Sequence, residues 1–216
     1  MVEPHAITDI WTEPDGDPDT LGNLGPLRAL AGVWESAAGA DVHPVETGDE
    51  RDRFVERYEA QPIDFQTNGT QLLYGLRYHT HILKPGQAET FHDQIGYWLW
   101  EPATGSVYLS LTIPRGQAVL ASGTCAADAT TFEVHAARGS TTSGIVSNPF
   151  LDQHYRTTGF RMAVTVHADG RWSYHESTTL QMEGRAPFEH TDSNTLRQVA
   201  PPSPNPIAAD ALPTQG

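Results

Sequence analysis

From about residue 32 to residue 199, short runs rich in Val, Ile, Tyr, Phe, Trp and Thr recur, separated by Gly, Pro, Asn or Asp. Apolar and polar positions alternating with a period of two place successive side chains on opposite faces of a strand. Breakers of these four residue types supply turn geometry, so the pattern predicts strands joined by hairpins. Ten strands are expected: Gly32–Ala38, Arg53–Gln61, Gln71–Lys84, Thr90–Glu101, Ser106–Pro114, Gln117–Cys125, Thr131–Arg138, Phe160–Ala168, Trp172–Glu183 and Pro187–Val199. Turn signals fall between them at Lys84-Pro85-Gly86, Ala103-Thr104-Gly105, Arg115-Gly116, Ala168-Asp169-Gly170 and Gly184-Arg185. In Gln71–Lys84 one face carries Leu72, Tyr74, Leu76, Tyr78 and Ile82, and the other Arg77, His79 and His81.

Parallel pairing needs crossovers of a dozen or more residues, and no helical run of that length separates the strands. An up-and-down antiparallel sheet leaves two unpaired edges unless it closes on itself. The expected fold is therefore all-β, a closed antiparallel up-and-down β-barrel of about ten strands, with a β-sandwich as the alternative. Such a barrel is wide enough to hold one small ligand. Asn23–Ala31 predicts a short helix or turn feeding the first strand, and Gly139–Gly159 is the one long irregular stretch, with Asn148–Tyr155 able to form a short helix.

The ends change composition. Residues 1–23 mix Pro, Gly and acids with few apolar side chains, and residues 201–216 are Pro-rich. Neither composition buries enough apolar surface to offset its ordering entropy, so a mobile arm and a solvated tail are expected around a barrel of residues 24–200. The 216 residues hold 13 Lys and Arg against 27 Asp and Glu, a net charge of −14. Nucleic-acid binding needs clustered cations to neutralise phosphates, and none occur, so nucleic acid and anionic membranes are not expected partners. No apolar run approaches the roughly 18 residues of a spanning helix. Cys125 is the single cysteine, which excludes an intrachain disulfide and a thiolate metal cluster. A cytoplasmic monomer or homodimer binding a small hydrophobic ligand is the expectation.

The chain lacks a nucleophile elbow, a phosphate-binding loop and a His-Glu-x-x-His pair. Its ten histidines are the remaining chemical set. His79 and His81 are two apart, so both project from one face of a strand. A metal there would need further ligands, with His92 or His175 the candidates, and a hydrogen-bonded solvated face is the plainer reading. His190 stands at the head of the last strand, where an inward imidazole could ligate heme iron or simply cap the strand through hydrogen bonds.

Four stretches, in order, carry a resemblance to the nitrobindin family. They are Leu30-Ala31-Gly32-Val33-Trp34 with Val42-His43-Pro44; Asn68-Gly69 with Leu72-Leu73-Tyr74; Phe91-His92-Asp93 with Gly96-Tyr97-Trp98; and Phe188-Glu189-His190. The resemblance spans about residues 24–200 and implies a ten-stranded, fatty-acid-binding-protein-like barrel holding ferric heme b through one proximal His. It also implies reactivity toward nitric oxide and, in some members, isomerisation of peroxynitrite. By position it makes His190 the iron ligand, with Trp34, His43 and His92 as further cofactor-binding residues. The alternative is a heme-free carrier of fatty acid or another small apolar ligand, with Arg77, Arg115 or Arg161 anchoring a carboxylate.

Overall fold

The computed structural model describes residues 9–211. Its strands are β1 (Gly32–Val45), β2 (Gly48–Asn68), β3 (Gln71–Leu83), β4 (Thr90–Glu101), β5 (Ser106–Ile113), β6 (Gln117–Thr124), β7 (Thr131–Ala137), β8 (Ile145–Ser147), β9 (Tyr155–Val166), β10 (Trp172–Met182) and β11 (Phe188–Ala200). All eleven belong to one antiparallel sheet in which β1 lies between β2 and β11, and β5 pairs with β6. Ten strands thus close into a ring, and β8 pairs with β6 outside it. The alternating pattern predicted this ring, and closure leaves its members without free edges.

The strand bounds differ from expectation in β1 and β2. Residues 39–52 are rich in Asp, Glu and Arg and predict a loop, yet they pair, with Asp41 opposite Asp52 and His43 opposite Glu50. Polar partners on the neighbouring strand replace apolar burial there, and single-strand patterning does not register such partners. β9 likewise starts at Tyr155 rather than Phe160. β8 falls inside the stretch expected to be irregular, and α2 (Pro149–His154) follows it. The side chain of Asn148 accepts from the backbone N–H of Leu151, and Pro149 opens the helix, a cap legible in the sequence.

The ring is weakest between β6 and β7, which share the single pair Ser122–His135. Residues 138–147 fill that gap from outside. Ala137 donates to the Ser143 carbonyl at 3.0 Å, and Leu120 donates to the Gly144 carbonyl at 2.9 Å.

One end of the barrel is sealed. A 3₁₀ turn, Gly25–Leu30, sets Leu24, Leu27 and Leu30 beneath it with no exposed surface. Burying such a side chain contributes about 1.5–3 kcal/mol. Gly25 has a φ of 54°, and a Cβ there would lie 2.6 Å from the Trp100 indole, so glycine is required on both counts. Trp34 donates its indole N–H to the Leu30 carbonyl at 3.0 Å and meets Trp172 edge-on at 6.1 Å. Tyr58 packs against Trp172 and stacks on Tyr78, with ring centroids 4.9 and 5.6 Å apart. Aromatic side chains therefore fill the sealed half.

The chain ends meet at this same end. Asn205 is fully buried, accepts from the Thr20 N–H at 3.2 Å, and donates to the Pro18 carbonyl at 2.9 Å and to Asp64 at 2.8 Å. Of the expected arm and tail, residues 1–8 and 212–216 lie outside the described residues. The inner parts carry α1 (Thr20–Asn23) and α3 (Pro206–Ala211), and polar side-chain anchors hold them where apolar burial is scarce.

Candidate functional site at the polar end of the barrel

The end opposite the aromatic plug is lined by charged side chains, and strand register places them. Asp52 on β2 stands opposite Asp41 on β1, Asp41 opposite Asp192 on β11, and Asp192 opposite Glu176 on β10. Four carboxylates thus form one row across four neighbouring strands. Directly opposed like charges destabilise a sheet, so such a row persists only with compensation. On β11, Phe188, His190 and Asp192 alternate in phase with the buried Asn194 and Leu196, whereas Glu189, Thr195 and Arg197 face solvent. His190 therefore points into the barrel.

Compensation comes from cations and imidazoles. Lys84 pairs with Asp52. Asp41, only 2% exposed, holds His190 Nε2 at 2.8 Å through Oδ1 and His43 Nδ1 at 2.8 Å through Oδ2. Asp192 Oδ2 lies 3.5 Å from His190 Nε2. Burial alone would raise the Asp41 pKa, but the hydrogen bonds and charges of His190 and His43 outweigh it and hold the carboxyl below its ordinary range. Burial pushes His190 down, yet Asp41, Asp192 and Glu176 carry its pKa above the usual value. Asp192 and Glu176 are both raised, chiefly by burial. Deeper in, Glu56 accepts from Tyr174 and Asn194, and its pKa is pushed up to about 7 by burial.

His92, on β4, faces the same interior. Its Nε2 lies 3.3 Å from Gln94 Oε1, and Gln94 donates to the Tyr78 hydroxyl at 2.8 Å. Burial lowers the His92 pKa, with the Arg115 charge adding to the effect. The structure thus brings His43, His92 and His190 to one end, while Trp34 lies in the plug at the other. His79 and His81 sit on the outer wall, bonded to Asp93 and Thr90 at 3.0 Å each, with neither His92 nor His175 beside them. What sequence reasoning missed is Asp41 and Asp192. Asp41-x-His43 and His190-x-Asp192 both have the two-residue spacing that puts an imidazole and a carboxylate on one face of a strand.

Arg161 pairs with Glu133 on the outer wall. Among the described residues, Arg115 and Arg185 bond only to backbone carbonyls: Arg115 to Phe91 at 3.3 Å, Arg185 to Val45 and Glu46 at 2.8 and 2.9 Å. Arg77 lines a groove on the outer wall, a cavity of about 880 Å³ between β2–β6 and the Ser140–Gly144 segment. Ile95, Tyr97, Leu120 and Val146 line it too, and each is at least 41% exposed.

The ferric heme implied by the resemblance needs one imidazole facing an apolar slot. His190 supplies an inward imidazole. The rest of the donor set does not fit a heme. Asp41 and Asp192 both crowd the same ring nitrogen, and Glu176 adjoins them. Atoms of Asp41, His190 and Asp192 all lie within 4.8 Å of one another, as do atoms of Asp41, His43 and Asp52. Two imidazoles and several carboxylates in one cluster suit an ion held directly.

Comparison with known proteins fits the fold. The crystal structure of Rv2717c from M. tuberculosis is similar to this chain at a TM-score of 0.54 and 20% identity, covering 85% of this chain and 99% of that one. No curated protein matches the chain. Residues 23–198 match the family described as THAP4-like, heme-binding beta-barrel domain, a span that takes in the 3₁₀ plug and the ring strands up to the last two residues of β11. The chain belongs to that THAP4-like heme-binding β-barrel family.

Proposed function

We propose that this chain binds a metal centre at the polar end of its barrel, with His190 as the central ligand. The observation that carries the reading is the inward His190 imidazole, 31% exposed and fixed at Nε2 by the buried Asp41. The His190 side chain is partly exposed at this end, whereas the plugged end is closed by Leu and Trp side chains. Asp41 orients two imidazoles at once, so neither ring is free to turn. Family membership supports heme as the carrier of the metal, on His190. The donor set supports an ion held directly.

Absorption spectra of tag-free protein titrated with hemin test the heme form. A sharp Soret band at one heme per chain, lost in His190→Ala, is the expected result if heme is carried. The outer groove favours a second reading, a heme-free carrier of an amphipathic carboxylate, with an apolar floor and Arg77 as anchor. No Soret band, together with dodecanoate binding that Leu120→Asp abolishes, would move the assignment from the barrel end to that groove.

A further inference from the structure

We propose that Asp41, His190 and Asp192 form a mononuclear site for a divalent transition-metal ion held directly by the protein, with no porphyrin. The inference rests on the reading that His190 is the central ligand of the polar end, and names what that ligand holds.

Geometry is the first argument. Around a tetrahedral ion with bonds of about 2.0–2.1 Å, ligand atoms stand about 3.4 Å apart. His190 Nε2 lies 3.5 Å from Asp192 Oδ2 and a hydrogen bond of 2.8 Å from Asp41 Oδ1, and the three donor atoms all lie within 4.8 Å of one another. The donors come from β1 and β11, two directly paired strands, so the sheet ladder fixes their separation. A site built on rigid strands holds its geometry without ordering a loop.

Charge is the second argument, and it is independent of the first. Asp41, Asp192 and Glu176 stand directly opposite one another on adjacent strands; Lys84 is paired with Asp52 at the far end, and the His43 and His190 imidazoles lie against Asp41 and Asp192. Glu176 faces inward with no hydrogen-bond or ion-pair partner among the described residues. One divalent ion against Asp41 and Asp192 would neutralise the row where opposed carboxylates cost most.

Donor chemistry chooses the ion class. An imidazole with carboxylates suits zinc, iron(II) or manganese(II), whereas calcium and magnesium prefer oxygen alone. His43, on the second oxygen of Asp41, is the outer partner that keeps that carboxylate turned toward the ion. Glu176, beside Asp192, is placed to accept a hydrogen bond from a metal-bound water.

The test is calorimetry on tag-free, chelator-stripped protein with zinc chloride and manganese(II) chloride, using calcium chloride as the control. Hemin titration of the same samples runs in parallel. The expected result is one zinc per chain, weakened at least tenfold in both His190→Gln and Asp192→Asn and unchanged in Asp93→Asn on the outer wall. Calcium should not compete. His190 and Asp192 are half-buried rather than core residues, and circular dichroism of each variant checks the fold. Protection of the wild-type chain against thermal unfolding by zinc is a second readout that needs no variant. Zinc binding that survives both substitutions overturns the site, as does its absence. If zinc fails while a Soret band dependent on His190 appears, the directly held ion is wrong and the metal-centre reading stands as heme. If both fail, both readings fall.

Discussion

The Glu56 carboxyl, carried by β2, is 1% exposed and reaches β10 and β11 across the interior, accepting at Oε2 from the Tyr174 hydroxyl at 2.9 Å and from Asn194 at 2.7 Å. Burial raises its pKa from 4.5 to about 7 against the opposing effect of those two donors, and the nearby Asp192 adds to the rise. The sign of the stability effect follows. Below pH 4.5 the carboxyl is protonated whether the chain is folded or not, and its contribution is fully present. Between 4.5 and about 7 the unfolded chain gains by ionising while the folded one keeps its proton, so stability falls as pH rises. Above that window the loss is complete. Asp192 and Glu176, also raised, act in the same direction, whereas Asp41, held low, acts oppositely in more acid solution. The melting temperature should therefore decline from pH 5 to pH 7.5. Glu56→Gln keeps an acceptor for both donors and removes the titration, so its decline should be shallower. Equal slopes in the two proteins would mean that Glu56 is already ionised at pH 5.

β4 and β5 approach closely at Gly96, where a Cβ would stand 1.9 Å from the Ser110 carbonyl oxygen. No side-chain rotation relieves a clash with backbone, so Gly96→Ala must part the two strands over the ladder Ile95–Glu101 against Ser106–Thr112. A loss of several degrees in melting temperature is expected, and an unchanged value would show that the ladder yields without cost. This glycine was legible in the sequence as the centre of Phe91-His92-Asp93-x-x-Gly96-Tyr97-Trp98, though the reason for it was not, because close approach is a property of two strands. The same distinction separates what could be read from what could not. Strands β3 to β7 and β10 were legible because each alternates apolar and polar positions between turns that, except for the one joining β6 to β7, carry Gly. The outer half of β1 and the first residues of β2 were not, because Asp41, Asp49, Glu50 and Asp52 look like a solvated loop until register sets them against partners. His190 was legible from its place on the last strand. The carboxylate row beside it was hidden, since Asp41, Asp192 and Glu176 become neighbours only through the pairing of β1, β11 and β10.

Over the whole molecule the two ends of the barrel have different tasks, and the chain spends its polar side chains differently at each. At the polar end they face inward and are incompletely compensated, an arrangement that favours a ligand over stability. At the sealed end the single side chain of Asn205 binds Pro18, Thr20 and Asp64, tying the segments before β1 and after β11 to β2. Removing a buried group of this kind leaves the Thr20 N–H and the Pro18 carbonyl without partners, at a cost of about 1–3 kcal/mol. For a domain of this size that corresponds to about 2–10 °C in melting temperature. Asn205→Ala should lower the midpoint by that amount, and deleting residues 201–216 should lower it at least as far. Because the plug of Leu24, Leu27 and Leu30 stands between this anchor and the His190 cluster, zinc or hemin binding at the far end should keep its affinity in both variants. A midpoint that does not move would make the chain ends dispensable to the barrel. A midpoint that falls together with ligand affinity would mean that the sealed end sets the geometry of the row formed by Asp41, Asp192 and Glu176, and that the two ends are mechanically one.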